Sequence, residues 1–221
     1  MLNLSENSSM RNTLSEFREG RIILKINDGI ELYPNLVSFY EKEVLLQNSP
    51  ALCYFFARFI KGADIDAHAK VVIESKEAEY NYLFARNIDG ADIDAHAKVV
   101  IESKNAEYNY FFAINIDGAD IDAHEKVVIE SKDAKYNYLF ARNIKGADID
   151  AHAKAVIESK DAIYNYYFAK FVKGADARAH IGVAIKSLEF SGTISEEDKK
   201  GIFLMKRSIN EVCGLMMQLK K

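Results

Sequence analysis

The chain has 221 residues, 49 % of them hydrophobic and 28 % charged, with a formal net charge of -4, so it carries ample material for a core. The acidic balance counts against non-specific nucleic-acid binding, which is driven by surplus lysine and arginine. No apolar run approaches the roughly 18 residues needed to span a bilayer, so no membrane segment is expected.

Residues 1–12 lack the basic-then-apolar layout of a secretory leader. The two cysteines, Cys53 and Cys213, belong to no motif and suit a reducing cytoplasm better than a disulfide framework. A cytoplasmic protein is therefore expected. Arg21–Leu32 alternates apolar and polar residues around Asn27-Asp28-Gly29, which reads as a small β-hairpin, with a helix followed by a loop as the alternative. Residues 35–48 keep helical spacing and stand where a degenerate first half-repeat belongs.

From there one pattern dominates. Gly-Ala-Asp recurs at Gly62, Gly90, Gly118, Gly146 and Gly174, always 28 residues apart, and units 62–89 and 90–117 match at 25 of 28 positions. Each unit reads as two short helices. The first runs from Asp64 to about Lys76, with Gly62 at the C′ position of the preceding helix and Asp64 as N-cap. Its inner face carries Ile65, His68, Val71, Val72 and Ser75, and its outer stripe Asp66, Lys70 and Glu74. The second runs from about Ala78 to Ile88 and turns Tyr80, Asn81, Phe84, Ala85 and Ile88 inward. Helices of about three turns are marginal alone, so stability must come from stacking one repeat on the next.

These repeats resemble the short-period α-solenoids, of the HEAT-like and leucine-rich-variant kind, over roughly residues 50–187. They are also similar to repeats of uncharacterised bacterial and phage proteins. The expected fold is all-α: a right-handed α-solenoid of stacked two-helix repeats, with 1–48 as N-terminal cap, 49–187 as the repeat array and 188–221 as a C-terminal cap. Residues 195–219 read as the capping helix, with Ile202, Phe203, Met205, Ile209, Val212, Met216 and Leu219 as its apolar set. Glu79, Asn87 and Lys70 give way to Ile163, Phe171 and Gly182 in the last units, as a covered end requires. Phe59, in the place of Asn87, should lie under the N-terminal region.

All five histidines, His68, His96, His124, His152 and His180, share one repeat position. They read either as metal or proton sites or as a ladder of buried histidines bonded to backbone, Ser or Tyr. Neighbouring helices sit about 8–10 Å apart, too far for two imidazoles to share a zinc at about 2.1 Å, which favours the ladder. The recurring Asn81, Asn109, Asn137 and Asn165 read as a second ladder between repeats. No nucleophile stands beside a base and no phosphate loop is present, so neither catalysis nor a cofactor or metal is expected.

The second helix offers the functional clue. Arg58, Arg86, Ile114, Arg142 and Lys170 occupy one outward position, beside Phe55, Leu83, Phe111, Leu139 and Tyr167, with Tyr54, Tyr82, Tyr110, Tyr138 and Tyr166 on the other flank. Aromatic residues with arginine are what protein interfaces are enriched in. Packing between repeats is the competing explanation for the large side chains. The expected function is a non-enzymatic scaffold that binds a protein along this face. The phage resemblance implies a second reading, an inhibitor of a host defence nuclease, and the basic stripe a third, a nucleic-acid backbone binder, which Glu79 and Glu107 oppose.

Overall fold

The computed structural model describes residues 34–188 and 195–218, and among these every regular element is a helix. The chain divides into two units, Met1–Ser103 and Lys104–Lys221. The first holds α1 (Pro34–Leu46), α2 (Pro50–Phe59), α3 (Ile65–Ser75), α4 (Ala78–Asn87) and α5 (Ile93–Glu102). The second holds α6 (Ala106–Asn115), α7 (Ile121–Ser131), α8 (Ala134–Asn143), α9 (Ile149–Ser159), α10 (Ala162–Phe171), α11 (Ala177–Leu188) and α12 (Glu196–Gln218). None of the described helices is long and apolar enough to cross a membrane. The hairpin expected at 21–32 lies outside the described residues.

Local chemistry sets the helix ends. The Asp64 carboxylate accepts the Ala67 N–H at 3.0 Å, and Asp92, Asp120 and Asp148 repeat the bond. Gly62 does not sit at C′. The helix before it stops at Phe59, and Ile60 turns extended with its side chain buried. A four-residue turn follows, closed by Ala63 N–H to Ile60 C=O at 3.2 Å, and Gly62 takes its third place with φ of +87°. Burying Ile60 outweighs one more helical residue, and only glycine meets that φ without strain.

Within each unit the tightest pairs are α2 with α3, α4 with α5, α6 with α7, α8 with α9, and α10 with α11. Each pair is a second helix, the Gly-Ala-Asp turn and the first helix after it, so the packing unit is offset by half a repeat from the sequence unit. Each hairpin encloses a phenylalanine–histidine ring pair. Phe56, Phe84, Phe112, Phe140 and Phe168 are fully buried and lie 4.5–5.1 Å, centroid to centroid, from His68, His96, His124, His152 and His180. In the first unit α1 packs on α2 and α3, the place of a first half-repeat helix.

The second unit ends with α12 against α11. Ser195 caps α12, its hydroxyl accepting the Asp198 N–H at 3.1 Å. Ile202 is fully buried against Tyr166, Ile181 and Ala184. Phe203, expected on the buried face, is 56 % exposed, and Phe171, expected beneath the cap, is 45 % exposed. One helical turn cannot bring both Ile202 and its neighbour to the same contact. The side chains of Ile209, Val212, Met216 and Leu219 lie outside the described residues.

Gly201 makes this contact possible. A Cβ there would meet the Tyr166 hydroxyl oxygen at 2.4 Å, and the Tyr166 ring is held by burial. Gly182, in the interior of α11, has open space around its Cα. Gly201→Ala should therefore cost about 1–3 kcal/mol by overpacking, whereas Gly182→Ala should gain about 0.5–1 kcal/mol from helix propensity. Urea unfolding of the two variants checks this; equal and favourable shifts would show that α12 does not pack as described.

Candidate functional site

The outward position of the second helices is as expected: Arg58, Arg86, Ile114, Arg142 and Lys170 are all exposed. Phe55, Leu83, Phe111, Leu139 and Tyr167 are half-buried, so each contributes to packing and to the surface. Tyr54, Tyr82, Tyr110, Tyr138 and Tyr166 are not an exposed flank. These residues are only 2–6 % exposed, and Tyr54, Tyr110 and Tyr138 pack on Tyr80, Tyr136 and Tyr164 of the next second helix in their unit. Burying the ring is favourable, and only the hydroxyl needs a partner at the rim.

That hydroxyl organises the surface. Tyr54 OH accepts from Arg58, Tyr82 OH from Arg86 at 2.9 Å, Tyr138 OH from Arg142 at 2.6 Å, and Tyr166 OH from Lys170 at 3.0 Å. Asn87 and Asn143, one repeat on, donate to Tyr54 and Tyr110 and tie the faces of successive second helices together. The cations are thus held by neutral oxygens, and among the described residues no carboxylate lies within ion-pair distance of them. In the second unit they line a groove of about 580 Å³ with Lys135, Tyr138, Tyr164, Tyr167 and Phe171, and Ser195, Glu197 and Asp198 line it too. Arg142 lies 5.0 Å from the Phe171 ring centroid, and so does Lys170. Lys135 was missed in the sequence, although it stands where earlier units have Glu79 and Glu107.

Beneath this face runs a polar network. All five histidines are fully buried, and the partners of His96, His124, His152 and His180 are not backbone, Ser or Tyr but the asparagines of the preceding second helix. Nδ1 of His96, His124, His152 and His180 lies 2.8–2.9 Å from Oδ1 of Asn81, Asn109, Asn137 and Asn165. Asn81 Nδ2 donates to the carbonyls of Val72 and Glu77, each at 2.9 Å, and Asn137 and Asn165 repeat the pattern. With Nδ2 spent on carbonyls, Oδ1 must accept, so the imidazole carries its proton on Nδ1 and presents a lone pair at Nε2.

What meets Nε2 differs between repeats. Glu125, in the slot that is Ala69 or Ala153 elsewhere, places Oε1 3.2 Å from His152 Nε2 and 2.7 Å from the Asp148 N–H. Glu41 on α1 lies 3.3 Å from His68 Nε2 without hydrogen-bond geometry, and accepts the Asp64 N–H at 2.6 Å. Burial pushes the Glu125 carboxyl up and the His152 and His68 imidazoles down. Opposite His96 and His180 stand Ala69 and Ala153, and both Nε2 atoms are buried without a partner. At Ala69 a groove of about 330 Å³ opens beside Gly90, Ala91 and Asp92. The departure of Glu125 from alanine was legible in the sequence; its reach to the next repeat was not. Cys53 is buried, which pushes its thiol up to about 12 and leaves it unreactive.

Comparison of the chain with family models, curated proteins and solved structures returned no match.

Burial pushes His96, His124 and His180 down to about 4. The unfolded chain binds protons at about 6.5, so folding stability is full above that pH and is lost as pH falls towards 4. Glu125→Ala should cost about 1–3 kcal/mol by stranding buried polar groups. Ala153→Glu should stabilise, and by more at pH 5 than at pH 8, because the new carboxyl shares a proton with His180. Urea midpoints at both pH values test this; a gain from Ala153→Glu that is absent at pH 5 would contradict the pairing.

Proposed function

We propose that this chain is a non-enzymatic binding protein and that its partner is another protein, docked on the face lined by the second helices. The observation that carries the reading is the row of exposed cations anchored on tyrosine hydroxyls and set among half-buried aromatic side chains. Arginine and aromatic residues in partly desolvated positions are where interface energy concentrates. Holding each cation on a buried tyrosine lowers the entropy lost when a partner binds. The face opposite offers less: Asp66, Lys70 and Glu74 are exposed and of mixed charge, and Lys126–Glu130 at 4.0 Å is a solvated pair.

The double variant Arg86→Glu with Arg142→Glu should abolish capture of the partner from cells that contain it. Both side chains are exposed, so the change in stability should stay within about 0.5 kcal/mol. The control, Lys70→Glu with Lys126→Glu, should capture as well as the unaltered chain. Loss of binding in the control and not in the arginine variant would place the partner on the first-helix face and end this reading.

A further inference from the structure

Resting on that reading, we propose that the partner segment is an extended acidic peptide whose carboxylates recur at every third residue. The argument is one of spacing and charge. Helices packed side by side lie about 8–10 Å apart, so the outward positions of successive second helices within a unit recur at that distance. A polyproline-II chain advances about 3.1 Å per residue with three residues per turn, so residues three apart lie on one face about 9 Å apart. Arg58 and Arg86 in the first unit, and Arg142 and Lys170 in the second, each form a pair of cations that matches two carboxylates at i and i+3.

The cations are ready for such a ligand. Arg86 is exposed and gives one N–H to Tyr82, and its other guanidinium donors point to no carboxylate among the described residues. Arg142 is held in the same way by Tyr138. A planar guanidinium so fixed presents a fork that fits a carboxylate. In the second unit the position before Arg142 is Ile114, 40 % exposed, with Phe111 and Leu139 half-buried beside it. The second unit therefore reads an apolar side chain and two carboxylates at successive third positions, with the intervening residues facing away.

A peptide fits this face better than a nucleic-acid strand. A strand carries one charge per about 3.4 Å of rise, roughly three for each cation offered here. Glu197 and Asp198, which also line the groove, repel any anion, and a segment charged at every third residue meets less of that repulsion than a continuous phosphodiester chain.

The test is fluorescence anisotropy on the full chain with labelled synthetic peptides. One has an apolar residue and glutamates at every third position; a second has the same composition with the glutamates adjacent. Oligothymidylate and inorganic polyphosphate are the other probes. The first peptide should bind at least about tenfold more tightly than the second, and Arg142→Gln with Lys170→Gln should remove that preference without lowering the melting temperature. Equal binding of the two peptides would overturn the spacing. Tighter binding of oligothymidylate or polyphosphate, lost in the same variant with a steep salt dependence, would overturn the peptide in favour of a phosphate polymer. Should no probe bind while the Arg86→Glu/Arg142→Glu variant still loses its cellular partner, the acidic-peptide inference fails and the binding face stands. Should that variant also keep its partner, the face itself is wrong.

Discussion

A single buried amide holds three helices together. Asn81 donates to a carbonyl at the end of α3 and to one at the start of its own helix α4, and accepts from His96 on α5. Asn137 does the same for α7, α8 and α9, and Asn165 for α9, α10 and α11. Apolar burial is non-directional and would tolerate a helix sliding or rotating on its neighbour. A buried amide leaves only arrangements in which its donors and its acceptor are all met, because an unmet one costs about 1–3 kcal/mol. The Phe–His stacks add contact area, but the asparagine sets the register between one repeat and the next.

That constraint reaches the surface. Fixing α4 against α3 and α5 fixes where Tyr82 enters the core and hence where its hydroxyl emerges. Arg86 is then placed by a bond to that hydroxyl rather than by a carboxylate. The outer face therefore shows cations at a repeat set by buried amides, which is a spacing that side-chain flexibility alone would not keep. The same network has an unsatisfied side. Once Nδ1 is committed, Nε2 needs a donor, and among the described residues Glu125 alone brings a carboxyl to such a histidine, His152. His96 and His180 are buried without that partner, and burial lowers their proton affinity as it does that of His152.

Much of this was legible in the sequence, for particular reasons. The period and the helix pair followed from glycine spacing and apolar periodicity, and the Asp64 cap from its place before Ile65. The outward placement of Arg86 followed from the helical wheel. Other features depend on contacts between residues far apart in the chain. The wheel places Tyr138 beside Arg142 at the rim, but Tyr164 of the next second helix packs on its ring. Histidine and asparagine each read as a ladder of its own, and that they bond to one another, 15 residues apart, follows only from the half-repeat offset of the packing. Gly62 was read as a helix stop because Ile60 looks helical by pattern, and its burial in extended form is a tertiary effect.

The account rests on the asparagine fixing the histidine tautomer, and the imidazole nitrogens report that directly. Nitrogen-15 NMR of the histidine side chains at pH 7.5 should show His96, His124 and His180 neutral, protonated at Nδ1, with a scalar coupling from that proton's nitrogen to the asparagine acceptor. Imidazoles protonated at Nε2, or rings exchanging between tautomers as they do in water, would mean that the amide does not hold the repeats, and the central claim would be wrong.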